Sequence, residues 1–320
     1  MESERLTRVL QQWRYSVEPA SIFAESLGAT NRVFALGSPA KYYLREYRTD
    51  DLKKIQTEHD LLCSLSNHVD AIIPPLPTEK GKSFVQMYGK AYALFPAAKG
   101  RLVSQSDLTV SHAFCAGEML ATLHKLLAEL DSGRFVTVEL KWDKSEWLTR
   151  LDLVIEEIRK AGSEDEWVLQ RAKQQRNYLA QSNDHHYIPT TQRSLIHGDY
   201  HHFNLFFDEQ DNVSGVIDWD LLQYMPPAYE VARACAYMFQ LDVSKSTAFI
   251  RGYQTQKSLS QEALSDGVKA WGMFADHHVW ALEEVFLNAN LSAKKFIPRQ
   301  KFTPFAQLWA PIERELMRMP

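Results

Sequence analysis

Three oxygen-bearing side chains lie close together in the stretch from His197 to Asp220, HGDYHHFNLFFDEQDNVSGVIDWD. Asp199 and Asn204 are five positions apart, the interval between base and metal-binding amide in phosphoryl-transferring catalytic loops. Asp218 follows at the end of an apolar run, Val213 to Ile217. Phosphoryl transfer calls for a carboxylate beside the attacking hydroxyl and for hard oxygen ligands that hold Mg2+ against the phosphates, because charge on the moving group has to be neutralised as it develops. In that chemistry Asp199 supplies the carboxylate, and Asn204 with Asp218 the metal ligands. Each acid read alone is an ordinary turn or cap residue; the set of three, flanking an apolar ribbon, carries the reading.

The elements that must position them are legible nearby. Leu205-Phe206-Phe207 and Val213-Ser214-Gly215-Val216-Ile217 are β-branched and aromatic, and Asp208-Glu209-Gln210-Asp211-Asn212 between them has turn composition. A hairpin here brings Asn204, entering one strand, near Asp218, leaving the other.

With these residues in view the chain resembles a known family. The HGDYHHFN segment, then GVIDWD, then Ala228-Tyr229-Glu230-Val231-Ala232 are similar to the aminoglycoside phosphotransferase and choline kinase family, which includes type II homoserine kinases and a bacterial stress-response protein kinase. The resemblance spans most of the chain. It implies an α+β, bilobal protein-kinase-like fold, with a small N-terminal antiparallel sheet lobe carrying one helix (residues 1–95), a hinge (96–101) and a larger, mainly helical lobe (102–320). It implies ATP with Mg2+ and transfer of the γ-phosphate to a hydroxyl of a small molecule: an amino alcohol, a homoserine-like metabolite or an aminoglycoside-type antibiotic. A Ser/Thr protein kinase of the same family and a nucleotide-binding pseudokinase are the alternatives.

Residues 22–95 read as the small mixed lobe. Ile22 to Ser26, Arg32 to Leu36 and Lys41 to Tyr47 are strand-like runs separated by turn residues. In the family the first turn covers the ATP phosphates, which points to backbone N–H groups at Gly28, Ala29, Thr30 and Asn31. On the third strand, KYYLREYR, the family usually has a lysine where this chain has Arg45. Arginine keeps the charge but is bulkier and planar. Lys41 is about 13 Å further along the strand, too far to stand in. The resemblance pairs Arg45 with Glu58, on a helix that begins after Asp50. Phe84 to Met87 and Ala91 to Phe95 form a hairpin, and the family's adenine contact falls on backbone groups of Ala93, Leu94 and Phe95.

Beyond Gly100 apolar spacing is helical. Phe114, Met119, Leu120, Leu123, Leu126, Leu127 and Leu130 form one stripe, with His124 inside it as a packed structural residue. Trp142 to Lys160, Glu164 to Ala180 and Ala228 to Phe239 are further helices. Glu230 stands where the family often has Asp, with bracing of the catalytic loop as its role. Ala270 to Phe286 reads as one aromatic helical segment; Trp271, Phe274 and His278 share a stripe, and Asp276, Trp280 and Glu284 another. A carboxylate beside an indole is one way to hold an amine, although core packing is the commoner use of such aromatics. Arg233 and Arg193 are candidates for an acceptor carboxylate. His-x-Asp-x-His-His supplies zinc ligands in principle, but a zinc hydrolase leaves Asn204 and Asp218 unexplained. His197 is expected to hold the loop, with His201 and His202 facing solvent or acceptor.

Composition bounds the rest. With 320 residues, 45% hydrophobic and 24% charged, the chain has room for about two cores. The formal net charge of -4 gives no basic footprint for nucleic acid. No apolar run approaches the roughly 18 residues of a membrane span, and the charged N-terminus has no signal-peptide core. Cys63, Cys115 and Cys235 are scattered without CxxC spacing, which fits thiols in a reducing cytoplasm.

Overall fold

The computed structural model describes residues 2–15, 22–25, 31–130, 135–162 and 166–318. Gly28, Ala29 and Thr30 therefore lie outside the described residues. In chain order the first elements are helix α1 (Glu2–Leu10), strands β1 (Ile22–Glu25), β2 (Arg32–Leu36) and β3 (Tyr42–Glu46), helix α2 (Leu52–Leu65), strands β4 (Val85–Met87), β5 (Lys90–Pro96) and β6 (Arg101–Leu102), and helix α3 (Val110–Leu127). Next come β7 (Val136–Thr137), β8 (Leu140–Lys141), α4 (Lys144–Ala161), α5 (Glu166–Gln181), β9 (His186–Tyr187), β10 (Ser194–Ile196), β11 (Leu205–Phe207), β12 (Val213–Val216) and β13 (Gln223–Met225). Five helices complete the chain: α6 (Pro227–Phe239), α7 (Val243–Gln256), α8 (Gln261–His277), α9 (Trp280–Phe286) and α10 (Phe305–Arg318).

Several helices start where a short polar side chain can take the first orphan N–H. Asp51 accepts from Lys54, Asp143 from Glu146, Asp242 from Lys245 and Ser260 from Ala263. α1, for which the sequence reading made no provision beyond its charge, buries Leu6, Val9 and Leu10.

The chain divides into two compact units, Met1–Ala116 with Asp199–Leu221, and Gly117–Gly198 with Leu222–Pro320. In the first, a five-stranded antiparallel sheet has the order β1-β2-β3-β5-β4. Leu6, Val9, Leu10 and Trp13 pack with Phe34, Leu36, Leu44, Tyr92 and Leu94, so α1 is a structural part of this sheet. Ile55 of α2 packs with Tyr47, Ala91 and Ala93. Within this unit β6 pairs with β11 and Ile72 bridges Val216. The ribbon that carries the candidate site thus clusters with the first unit. Gly100 is fixed by this joint: its φ is +83°, and a Cβ there would collide with the Phe207 carbonyl and the Ser214 hydroxyl.

In the second unit, α4, α5 and α9 share a core of Leu151, Val154, Ile158, Val168, Ala172, Leu179, Leu282 and Val285. The single aromatic helix expected over 270–286 is two helices. His278 leaves helical dihedrals (φ −72°, ψ 115°), and Asp276 turns its carboxylate out to cap Phe305.

Candidate active site

The β11–β12 ribbon pairs Leu205 with Val216, and Ile217 N–H donates to the Asn204 carbonyl at 3.0 Å, which carries the ladder one residue further. Asn204 therefore lies opposite Ile217, with Asp218 next along the strand. Leu205, Phe207 and Val216 are buried, so the apolar alternation fixes the register that presents the polar ends. Asn204 is itself buried and donates through Nδ2 to the Asp199 carbonyl (2.9 Å) and to Asp199 Oδ2 (3.1 Å). Its Oδ1 is the acceptor of the amide. His201 Nε2 lies 3.3 Å from Asp199 Oδ2, and its Nδ1 accepts the Phe203 N–H at 3.2 Å. With Nδ1 as acceptor, Nε2 is the ring nitrogen that faces Asp199. Of the two alternatives for His202, solvent or acceptor, burial rules out the first, and burial, then His201, pushes its pKa down to about 4.

Asp218 has φ of +64°, in the left-handed region that a non-glycine residue rarely adopts. Asp218 and Asp220 reach the same guanidinium, while Trp219 between them is buried and donates from Nε1 to the Val216 carbonyl. Arg45 Nη2 lies 3.1 Å from Asp218 Oδ1 and 2.5 Å from Asp220 Oδ2, and Arg45 Nη1 lies 3.4 Å from Glu58 Oε1. The expected partner of Arg45 is therefore in place, together with two carboxylates from the ribbon. Asn31 donates from Nδ2 to Asp220 Oδ2 at 2.6 Å and accepts the Arg48 N–H on its own oxygen. Beneath the guanidinium the Tyr47 ring centroid is 4.9 Å from Cζ. The Tyr47 hydroxyl meets His59 Nε2 at 2.8 Å, and His59 Nδ1 meets Ser83 at 2.9 Å.

Electrostatics follow from burial of so many charges in one place. Burial works against the Arg45 charge, but Tyr47, Asp220, Glu58 and Asp218 more than offset it and hold its pKa above the ordinary value. Burial pushes Glu58 up to about 8 against the pull of Arg45, with Asp220 and Asp218 adding to the rise. His59 is pushed down to about 3 by burial and then by Arg45, which keeps its ring neutral between Tyr47 and Ser83.

In the second unit Glu230 is fully buried and accepts the backbone N–H groups of His197 (3.1 Å) and Gly198 (2.5 Å), the two residues that precede Asp199 in the chain. His124 joins it through Nε2 at 2.9 Å and reaches Tyr253 through Nδ1 at 2.9 Å. Burial would raise the Glu230 pKa, but His124 foremost, then His197 and Arg233, bring it below the usual value. A carboxylate here replaces free rotation of the strand end with three fixed hydrogen bonds, and Gly198, at φ +83°, makes the turn into Asp199.

The remaining expectations are placed as follows. Ala93 and Phe95 pair with Arg45 and Tyr43 of β3, and the ladder continues through Tyr47 N–H to Ala91 and Ala97 N–H to Lys41. Their backbone groups are thus spent inside the sheet. The Leu94 carbonyl accepts the Leu76 N–H, so the backbone donor on β5 directed away from β3 is the Leu94 N–H. The aromatic stripe forms, with Trp271–Phe274 centroids at 5.3 Å and Phe274–His278 at 5.2 Å. On the other stripe the carboxylates beside Trp280 are engaged within the protein: Asp276 caps Phe305, and Glu284 accepts Asn288 and Asn290. His185 and His277 hydrogen-bond each other at 2.9 Å. Among the described residues no group of three or more His, Cys, Asp or Glu is arranged to hold a metal. Asp220, Tyr47 and the tie from Asn31 escaped the sequence reading. The one local signal for Asp220 was a second acid two positions after Asp218.

A family model for the phosphotransferase enzyme family matches residues 25–264, three quarters of the chain. The chain belongs to that family, and is a phosphotransferase of the mixed α+β, protein-kinase-like fold. A search of curated protein sequences returned no match. Among solved structures, a microcompartment-associated aminopropanol kinase is similar at 18% identity and TM-score 0.59, covering 98% of this chain and 97% of that one. An amicoumacin kinase in complex with AMP-PNP and Ca2+ is similar at 18% identity and TM-score 0.57, with 96% and 97% covered. A spectinomycin phosphotransferase in complex with ADP and spectinomycin is similar at 13% identity and TM-score 0.62, with 99% and 94% covered.

Proposed function

We propose that this phosphotransferase uses ATP with Mg2+ to phosphorylate the hydroxyl of a small molecule, with Asp199 as the base. The observation that carries the reading is the shared end of one ribbon. There Asn204 holds Asp199 through its amide, and Asp218 follows the residue paired with Asn204, with Arg45 and Glu58 against it. Asp199 takes the hydroxyl proton as that oxygen bonds to the γ-phosphorus and the bridging oxygen departs with ADP. The Asn204 Nδ2–H on its Oδ2, with His201 Nε2 beside that oxygen, fixes the carboxylate's direction.

The donor set fits magnesium: one carboxylate and one amide oxygen, both hard, with the amide turned by its own hydrogen bonds to Asp199. When bound by Asn204 Oδ1 and Asp218, Mg2+ supplies neutralisation of phosphate charge. Arg45, paired with Glu58, bears on the α and β phosphates. Asn31 and the turn before it serve the phosphates, and Leu94 N–H serves the adenine edge. The reading includes the two-lobed organisation, 1–95 and 102–320 about a hinge at 96–101.

An amino alcohol is the acceptor class we favour, because an aminopropanol kinase is similar over nearly the whole chain. Among the described residues no helix is long and apolar enough to cross a membrane. The test is ATP consumption over amino alcohols, homoserine, choline, sugars and aminoglycosides, with and without Mg2+. The reading expects one acceptor class to stimulate Mg2+-dependent ADP release at least about tenfold. ADP release that no acceptor changes would overturn it.

A further inference from the structure

Lysine and arginine are not interchangeable where a side chain is forked between partners and stacked on a ring. Position 45 meets both conditions. Arg45 reaches Glu58 with one terminal nitrogen and Asp218 and Asp220 with the other, and its plane lies over Tyr47. Each partner is held from behind. Asp220 takes Asn31 Nδ2 on the oxygen that faces Arg45, and Asn31 is pinned by the Arg48 N–H. Tyr47 is fixed by the buried His59, itself fixed by Ser83. An ammonium group in place of the guanidinium has one nitrogen and no plane, so it cannot keep Glu58 and the two aspartates while covering the ring.

We propose that Asp220, Asn31 and Tyr47 form a socket that makes arginine obligatory at position 45, and that Asp220 and Tyr47 are positioning residues for nucleotide binding. The inference rests on the phosphate role of Arg45 given above, and assigns Asp220 a function through Arg45. Asp218 keeps its place as metal ligand, whereas Asp220 sets the direction in which the guanidinium meets the phosphates.

The experiment is Mg-ATP binding by calorimetry, beside thermal unfolding without nucleotide, for wild type, Arg45→Lys, Asp220→Asn, Tyr47→Phe, Tyr47→Leu and the double variant Arg45→Lys/Asp220→Asn. The expected result is at least about tenfold weaker binding for Arg45→Lys and for Asp220→Asn, with the double variant no weaker than about threefold below the worse single, since both remove one interaction. Tyr47→Leu, which removes the ring, loses about tenfold, with KM for ATP moving more than kcat; Tyr47→Phe, which keeps the ring but loses the tie to His59, weakens binding by less than Tyr47→Leu. Wild-type binding by Arg45→Lys, or losses that add in the double variant, would overturn the socket. Where Asp220→Asn does not fold, Asn31→Ser, which removes the tie to Asp220 together with the acceptor for the Arg48 N–H, is measured in its place and is expected to weaken binding about threefold or more; unchanged binding overturns the proposal. A wild type that binds no Mg-ATP yet shows Arg45–Asp220 coupling in unfolding would overturn the proposed function and leave the socket only a structural feature.

Discussion

A single carboxylate can be read in opposite ways depending on what donates to it. Asp199 receives the Asn204 amide on Oδ2, with His201 Nε2 3.3 Å from the same oxygen. Asp276 has one backbone donor, from Phe305, and Tyr178 beside it, and burial still pushes it up to about 6 from 3.8. Its folded pKa is raised, so its contribution to stability is fully present below the ordinary carboxylate value and is lost as pH rises through about 6. Asp276→Asn is therefore expected to gain on wild type between about pH 4 and about pH 7. The gain is up to about 3 kcal/mol at roughly 1.4 kcal/mol per unit of pKa, read by denaturant unfolding at the two pH values. Parallel pH profiles for the two proteins would contradict the burial argument.

At the scale of elements, the catalytic segment depends on groups remote in sequence. Glu230 of α6 accepts N–H groups from His197 and Gly198, and His124 of α3 completes the set. Glu230→Gln puts an amide donor where donors already converge. It should cost about 3 kcal/mol of stability and lower kcat more than the KM for ATP, a split that steady-state kinetics would show. Gly100→Ala should destabilise by about 2 kcal/mol or more, because its Cβ has the Phe207 carbonyl and Ser214 in its way. Both positions show what a single sequence carries. The ribbon at 205–216 and the pairing of Arg45 with Glu58 were legible, the first from alternation and turn residues, the second from resemblance. The Asp220 contact was not, because it joins a residue 175 positions from Arg45 through packing that no local pattern encodes, whereas Tyr47, two positions from Arg45 along the extended chain, shares its face by the period of a strand. Helix α1 was missed because a short charged amphipathic stretch reads as an exposed terminus, although its apolar face completes the sheet core. The break between α8 and α9 was hidden by apolar spacing that runs on through it.

For the whole molecule, buried histidines set the acid limit of the fold. Burial, joined by a neighbouring charge, holds His59 down at about 3, and burial with His185 holds His277 at about 4, against 6.5 for a free ring. The unfolded chain takes up these protons first, so the stability they contribute is present above about pH 6.5 and lost as pH falls towards 4. The midpoint of thermal unfolding should fall over that interval, and less steeply in His277→Asn than in wild type. An identical slope in the two would assign the acid limb to other groups.

The central claim is that Asp199, set by Asn204 at the end of the ribbon, activates an acceptor hydroxyl for phosphoryl transfer from ATP. The direct measurement follows 31P resonances of ATP, ADP and product with the stimulating acceptor, for wild type and Asp199→Ala, beside calorimetric Mg-ATP binding by both. A phosphate monoester formed in step with ADP, at least about 10²-fold slower in Asp199→Ala with nucleotide binding retained, is the predicted result. Equal rates of monoester formation in the two proteins would contradict it.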